Sequence, residues 1–211
     1  MTLNDYLFIL QGIFTTMHYT LIAVICGFII AIPIAAMRMS TNQILSLIAR
    51  FYISIMRGTP VILQLSAWYF VFPRATGIHL SAVVAGSIAF TINSSAYIAE
   101  IIRSGVLAID KGQLEAAKVL GISKKDTLLD ILLPQAVRNI SPTIINEIIS
   151  MIKETAIIGM IGVPDLMRRA QLVSAEKYDF FTPLITAAVG YYCLGLFITF
   201  IYQIIAKRLL R

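Results

Sequence analysis

Long apolar runs separated by short polar segments dominate the pattern along this chain. Four of the runs are long enough for helices that cross a bilayer, which need about 20 mostly apolar residues. They lie near 13–36, 80–102, 142–163 and 183–206. A fifth run, 61–72, would give only about 18 Å of helix against a hydrocarbon core of roughly 30 Å. We therefore expect its helix to begin earlier, near Ser46, and to cover 46–72.

A proline interrupts the helix expected over 46–72, which is the second span in chain order. The segment "RGTP", from Arg57 to Pro60, lies inside the expected range 46–72. Proline has no backbone N–H and removes one hydrogen bond from a helix. The backbone groups released in this way must find partners in protein or water, because lipid offers none. We therefore expect a disturbed helix at this segment.

Composition supports a membrane protein. Of 211 residues, 58% are hydrophobic and 13% are charged, whereas a soluble domain carries roughly 25% charged residues. No linker or low-complexity segment divides the chain. The pattern therefore predicts one all-α integral membrane domain over 1–211 with five transmembrane helices.

Lys and Arg residues are distributed unevenly among the loops of this five-span arrangement. Segments 38–57 and 103–138 and the C-terminal tail carry twelve of them, and the opposite set carries four. Cytoplasmic loops are enriched in these residues, so we expect the N-terminus outside and the C-terminus in the cytoplasm. The net charge of +6 then reflects topology and anionic lipid and needs no nucleic acid. A cleaved signal peptide would need a basic start, and residues 1–12 contain no Lys or Arg, so the first run is retained as a span.

The longest polar segment, 104–140, has the signals of two short helices joined by a turn. Residues 113–120 are mostly helix formers, and Gly121 follows where helices commonly end in a left-handed conformation. Ser123 is placed to cap a second helix, which we expect to end at Pro134 because the residue before proline disfavours the helical conformation. The first helix, about 12 Å long, would be marginal alone. It therefore needs a surface to lie on, either the cytoplasmic lipid face or another protein.

A spaced motif runs through this segment. It consists of Glu115-Ala116-Ala117, three residues, Gly121, nine residues, Ile131, one residue, and then Leu133-Pro134. At every position the motif resembles the EAA loop of permease subunits in bacterial ATP-binding-cassette (ABC) importers. Three further stretches are similar to the polar amino-acid branch of that family, which includes glutamine, histidine and arginine importers: "RGTPVILQL", "AYIAEIIRSG" and "KGQLEAAKVLG".

The resemblance implies a role for this loop between spans three and four. In such permeases it forms a coupling helix that docks in a cleft of the cytoplasmic ATPase, and the motif residues together would form that contact. Glu115 would accept a hydrogen bond or salt bridge, and Ala116 and Ala117 would allow close approach. Gly121 would allow the turn.

The resemblance also implies partners. Two copies of an ABC ATPase subunit would drive transport, and an external or periplasmic amino-acid-binding protein would deliver the substrate. A second permease, identical or homologous, would complete the path, because five spans line too little of it alone. ATP binding would rock the pair between inward- and outward-facing states in the bacterial inner membrane. By general resemblance, glutamine is favoured among polar amino acids.

The chain lacks the signals of an enzyme. It contains no G-x-x-x-x-G-K-[ST] loop, so it is not the ATPase itself, and we expect no cofactor. Cys26 and Cys193 lie within apolar runs without a Cys-x-x-Cys spacing and are expected to be small packing residues. His18 and His79 are far apart and form no metal-site spacing. The alternative function is a passive channel or membrane adaptor, neither of which needs the complete coupling motif.

Ionisable residues lie inside the run 142–163, the fourth span in chain order, where they are costly and mark a pathway or a pair. Glu147, Ser150 and Glu154 share one helix face, and Lys153 borders it. Either Lys153 and a glutamate form a fixed ion pair, or a glutamate meets the ammonium group of an amino acid while Lys153 meets its carboxylate. Thr155 completes "KET", which is similar to a Lys–acid–Ser/Thr stretch in the family.

Other polar residues extend this expected path. Asn93 and Tyr97 lie on the third span and Arg57 lies at the proline break, and we expect all three to line the substrate path. Glu100 and Arg103 are three residues apart near the cytoplasmic end of the third span. This spacing favours an ion pair on one helix.

Overall fold

Helices form the regular structure of residues 1–209, which is the part of the chain that the computed structural model describes, and no strand occurs in that range. Arg211, one of the basic residues of the C-terminal tail, lies outside it. The α-helices are α1 (Leu3–Leu10), α2 (Gly12–Arg38), α3 (Gln43–Gly58), α4 (Val61–Ser66), α5 (Phe72–Thr76), α6 (Ala82–Leu107), α7 (Lys111–Val119), α8 (Lys124–Asp126), α9 (Leu133–Glu154), α10 (Leu166–Lys177) and α11 (Phe181–Leu209). Two π-helical turns, Ala67–Val71 and Thr127–Leu132, and a 3-10 segment, Thr155–Ile161, connect some of them.

Three helical stretches of the described chain are long and apolar enough to cross a membrane. They are Leu3–Arg38, Ala82–Leu107 and Phe181–Lys207. The bent pair of α3 with the segment Val61–Thr76 becomes a fourth if it crosses as one span. The fold is therefore that of an all-helical membrane protein with three or four such spans by length and composition.

The run expected at 142–163 has different limits in the structure. Its α-helix, α9, covers Leu133–Glu154, and a 3-10 segment follows to Ile161. The helix therefore begins inside the polar loop, before the expected start of the span, and the limits of the span in the membrane stay a prediction. Charged residues lower the hydropathy of α9, so it is not among the stretches that qualify as spans in the described chain.

The expected disturbance at Arg57–Pro60 is confirmed and is larger than a kink. Helix α3 ends at Gly58, and the chain bends by 100° before it continues from Val61. The helix begins at Gln43, three residues before Ser46, near which its start was expected. Asn42 caps α3 instead, because its side-chain oxygen accepts hydrogen bonds from two backbone N–H groups of the first turn, at 2.9 and 3.4 Å.

Pro134 does not end the second helix of the polar loop, contrary to the sequence expectation. The chain is helical from Lys124 into α9, and the π-helical turn Thr127–Leu132 comes just before the proline. In this turn the N–H of Leu133 donates to the carbonyl of Leu128, one residue further back than in an α-helix. The wider turn makes room for the proline ring, which clashes with the preceding turn of an α-helix. The polar loop therefore connects rigidly to α9.

Small residues allow α2 and α6 to approach closely, and this pair forms the centre of the bundle. The buried small residues are Ala23, Gly27, Ala31 and Ala35 on α2 and Ala85, Gly86, Ala89, Ala96 and Ala99 on α6. Close backbone approach through small residues is a common way for helices to associate in lipid. Cys26 and Cys193 are not buried packing residues, because smaller side chains hold the interior positions, and both cysteines are exposed.

Gly12 fixes the start of α2 against the start of α10. A Cβ atom at position 12 would lie 2.5 Å from the backbone N and Cα of Leu166, which cannot move aside as a flexible side chain can. We expect Gly12→Ala to lower the free energy of unfolding by about 1–3 kcal/mol, the usual cost of overpacking. The thermal unfolding midpoint of the purified chain checks this. Gly195→Ala is the matched control, because its Cβ would meet Ile149 at an ordinary 3.7 Å, and an equal loss in both variants would contradict the interpretation.

Candidate functional site

Two amide side chains satisfy the backbone at the helix break. Pro60 lacks the N–H that would bond the carbonyl of Met56 in a continuous helix. Gln64 Nε2 donates to that carbonyl at 2.9 Å, and also to the carbonyl of Thr59 at 3.2 Å and to its hydroxyl at 2.9 Å. Asn93 Nδ2 donates to the same Met56 carbonyl and to Gln64 Oε1, both at 3.1 Å. The break is thus held by α4 on one side and α6 on the other.

Gln64 is a functional candidate that the sequence analysis missed. The available signal was Pro60 itself, since a proline inside an apolar run requires a donor nearby. We expect Gln64→Leu to remove one of the two donors to the Met56 carbonyl and the acceptor of the buried Asn93 amide, and to cost about 1–3 kcal/mol of stability. Chemical denaturation of the purified chain measures this. Gln171→Leu, on the exposed surface of α10, is the control; a Gln64→Leu variant as stable as that control would show that the amide does not hold the break.

Two adjoining cavities open beside this break, each of about 320 Å³. The first is lined by Arg57, Gly58, Thr59, Pro60, Val61, Asn93, Tyr97 and Glu154. The second is lined by Arg57, Tyr97, Glu100, Ile101, Ser104, Thr143, Asn146, Glu147 and Ser150. Arg57 and Tyr97 belong to both, so they stand between the two cavities.

Arg57 and Tyr97 form a stacked pair at this boundary. The guanidinium carbon of Arg57 lies 5.1 Å from the centre of the Tyr97 ring, within the range of a cation–π interaction. Arg57 forms no ion pair among the described residues. Its charge is therefore available to a carboxylate that enters either cavity.

The structure brings together most of the predicted path residues but separates two of them. Glu147, Ser150 and Glu154 line the cavities, as do Asn93, Tyr97 and Arg57. Lys153 instead faces a groove of about 540 Å³ between α9 and α11. Thr155 is fully buried, and its hydroxyl donates to the carbonyl of Ile152 at 2.7 Å. Both residues therefore lie away from the two cavities.

The fixed ion pair considered for Lys153 does not form within the described chain. The ion pairs there join Arg103 to Glu100 and Lys177 to Asp5 and Glu176. The pair expected between Glu100 and Arg103 is confirmed, with Arg103 Nε donating to Glu100 Oε1 at 2.9 Å. Glu100 therefore contributes little net charge to the second cavity.

Gly121 ends α7 in the left-handed conformation, with φ of 73°. The N–H of Ile122 donates to the carbonyl of Ala117 at 3.0 Å, and the N–H of Gly121 donates to that of Lys118 at 3.2 Å. These bonds form a Schellman motif, which satisfies carbonyls at the helix end. Ser123 then caps the next helix by accepting a backbone hydrogen bond at 3.1 Å. The two short helices are thus fixed relative to each other.

The EAA segment presents only part of its motif to solvent. Glu115 and Ala116 are exposed, whereas Ala117 is only 1% exposed and faces the loop interior. Close approach of a partner is therefore possible at Ala116 but not at Ala117, which corrects the expectation for the alanine pair. Leu133 and Pro134, at the end of the motif, are exposed on α9, and Ile131 is half-buried.

Large apolar side chains surround the exposed part of the motif. Val119 is 87% exposed and Leu120 is 75% exposed, and Leu114, Leu128 and Leu129 are also exposed. Exposed apolar patches of this kind, rimmed by polar residues, mark protein or membrane contacts. The sequence analysis named the motif positions and missed Val119, although it lies four residues after Glu115 and therefore on the same helix face.

A helical membrane bundle with polar cavities and exposed apolar residues on its short loop helices suits the membrane subunit of a transporter. The chain belongs to the family of binding-protein-dependent transport system inner membrane components, whose model matches residues 9–211. The resemblance drawn from the EAA loop is thereby confirmed. The protein is a multi-pass permease subunit of an ABC importer in the inner membrane, and it works with a separate ATPase and a substrate-binding protein.

Similarity to individual proteins extends over nearly the whole chain. It is 50% identical over 203 residues to the putative glutamine transport system permease protein of Rickettsia conorii, covering 96% of this chain and 93% of that protein. It is 44% identical over 202 residues to the arginine transport system permease protein of Bacillus subtilis, with coverages of 96% and 92%. A crystal structure of an amino acid ABC transporter with histidines matches it with a TM-score of 0.87 and 38% identity, over 95% of this chain and 94% of that one.

Proposed function

We propose that this permease carries a polar amino acid into the cytoplasm, with glutamine as the favoured substrate. The observation that carries the proposal is the placement of one guanidinium and two carboxylates around adjoining cavities beside the helix break. An amino-acid zwitterion needs partners of both signs. The names of the glutamine and arginine permeases similar to this chain support the same substrate class.

Within these cavities Arg57 is the partner for the substrate carboxylate. It takes the role that was one of two alternatives for Lys153, because Lys153 lies in the separate groove against α11. Glu154 in the first cavity and Glu147 in the second are partners for the ammonium group. Charge-assisted hydrogen bonds of this kind are shorter and stronger than neutral ones.

The charge of the lining favours a neutral or cationic side chain on the substrate. Glu147 and Glu154 outnumber Arg57, and Glu100 is neutralised by Arg103. An acidic amino acid would bring a second carboxylate into a site with one free guanidinium. Glutamine and arginine therefore fit this lining better than glutamate.

Competition for uptake tests this substrate class. Cells that express the complete importer are supplied with labelled glutamine and an excess of unlabelled glutamine, arginine or glutamate. We expect glutamine to compete most strongly and glutamate least. Competition by glutamate equal to that by glutamine would contradict the charge argument, and competition by none of the three would remove the polar amino-acid proposal.

Coupling to ATP is assigned to the loop containing α7. Glu115 and the exposed apolar residues around it dock on a cytoplasmic ATPase, and the continuous helix from Lys124 into α9 carries the movement to the polar cavities. The working unit contains two ATPase subunits, this permease, a second permease that is identical or homologous, and an external amino-acid-binding protein. Alternating access of the paired permeases moves the substrate.

The coupling loop must then be cytoplasmic, in a chain of five spans with the N-terminus outside. We expect Lys125→Cys to react with an impermeant maleimide only from the cytoplasmic side, and Gln171→Cys on α10 to react only from outside. Both positions are exposed, and the background lacks Cys26 and Cys193, which are themselves exposed. Labelling of Lys125→Cys from outside would overturn both the topology and the coupling role.

A further inference from the structure

A long apolar groove runs between the cytoplasmic halves of α9 and α11. Its volume is about 770 Å³, larger than either polar cavity. Isoleucines line both walls, from Ile140 to Ile148 on α9 and from Ile198 to Ile205 on α11. One polar contact crosses between the helices, where Ser141 Oγ lies 3.1 Å from the Tyr202 hydroxyl. Such a surface holds hydrocarbon better than water, which needs several polar partners.

A basic residue stands near the cytoplasmic end of this groove. Arg138 is part of the lining, its side chain is exposed, and it forms no ion pair among the described residues. Ala206 closes the same end on α11 and is followed by Lys207, which is also exposed. The groove therefore combines an apolar channel with positive charge at its cytoplasmic end.

The dimensions of the groove match one leaflet of a bilayer. Ten residues separate Arg138 from Ile148, which is about 15 Å along the axis of α9. Half of a hydrocarbon core of roughly 30 Å is also about 15 Å. Under the proposed topology, Arg138 lies at the level of inner-leaflet headgroups while the isoleucines lie at the level of the acyl chains.

We infer that this groove binds an anionic phospholipid of the inner leaflet, with an acyl chain along the isoleucines and the phosphate against Arg138. Basic pockets between transmembrane helices on the cytoplasmic side are suited to anionic headgroups. A second permease seated here would cover the Arg138 guanidinium, whereas an anionic headgroup supplies its counter-charge. The inference rests on the orientation given under the proposed function and does not depend on which amino acid is carried.

Lipid retention by the intact importer complex tests this assignment. The complex is incorporated into vesicles of phosphatidylcholine mixed with phosphatidylglycerol, and lipids that remain bound are counted by native mass spectrometry. We expect phosphatidylglycerol to be retained and Arg138→Gln to weaken that retention about fivefold, the equivalent of one basic residue near an anionic surface. Arg50→Gln, an exposed basic residue of α3 outside the groove, is the matched control and should retain the lipid as the unmodified chain does.

Two further variants distinguish a lipid in the groove from a headgroup bound at Arg138 alone and from a second permease. Ile145→Trp fills the apolar channel and should expel the lipid with Arg138 intact, whereas glycerol phosphate, which lacks an acyl chain, should not compete with the lipid. Ile201→Cys, in a chain without Cys26 and Cys193, should give no cross-link between two permeases. Equal retention in Arg138→Gln and Arg50→Gln, displacement by glycerol phosphate, or an efficient cross-link would each overturn the assignment. These readouts involve no transport, so they stand apart from the test of substrate class.

Discussion

Glu115→Lys is expected to abolish ATP-driven uptake while the chain remains folded and inserted. Glu115 is exposed, and it makes no hydrogen bond or ion pair with the described residues, so folding does not depend on it. Its contribution must then come from a partner. Breaking a buried charged contact at an interface costs about 2 kcal/mol or more, which weakens ATPase binding by at least about thirtyfold.

Co-purification of the ATPase with the permease measures this loss directly. Glu176→Lys is the matched control, because Glu176 is also exposed on a helix but pairs with its neighbour Lys177 at the surface, where ion pairs contribute little. That variant should retain both the ATPase and transport. Normal association and uptake in Glu115→Lys would mean that the loop lies on lipid and does not couple the two subunits.

Arg57→Gln is expected to reduce transport about ten- to a hundredfold while basal ATP hydrolysis survives. The substitution keeps a polar side chain between the two cavities but removes the charge proposed to hold the substrate carboxylate. A hydrogen bond to a charged group contributes about 1.5–3 kcal/mol, which corresponds to that range in affinity. Glu154→Gln should give a loss of similar size through the ammonium group.

Arg50→Gln is the control for both variants. It removes a guanidinium from α3, the helix of Arg57, at a position that lines neither cavity. Uptake at several substrate concentrations distinguishes the causes. A rise in the half-saturating concentration supports a substrate contact, whereas a loss of folded protein without such a rise supports a structural role. Wild-type uptake in both Arg57→Gln and Glu154→Gln would remove the substrate path from this position.

Local backbone chemistry explains which features the sequence could predict. Pro60 lacks a backbone donor and Gly121 adopts the left-handed conformation without steric cost, so the break in the second span and the end of α7 were both foreseeable. Pro134 lacks the same donor as Pro60, but a π-helical turn makes room for its ring and the helix continues. Whether a proline ends a helix depends on the conformation of the turn before it. The presence of a proline in the sequence does not show what that conformation is.

Which residues line the site depends on how the helices pack, and the spacing of residues along the sequence does not reveal that packing. The spacing of Glu147, Ser150 and Glu154 correctly placed them together on one helix face. The same spacing could not show that α11 lies beside α9 at Lys153 and forms a second groove there. Gln64 was missed although Pro60 gave a signal for a nearby donor; its bond to Asn93, 29 positions later in the chain, could not be read from spacing.

The most direct measurement is uptake of labelled glutamine into vesicles containing this chain, its ATPase and its binding protein, with and without ATP on the ATPase side. We expect glutamine to accumulate above its external concentration only when both ATP and the binding protein are present, and Glu115→Lys to abolish that accumulation. Glutamine that merely equilibrates across the membrane, at the same rate with and without ATP, would identify a passive channel and contradict the coupled importer.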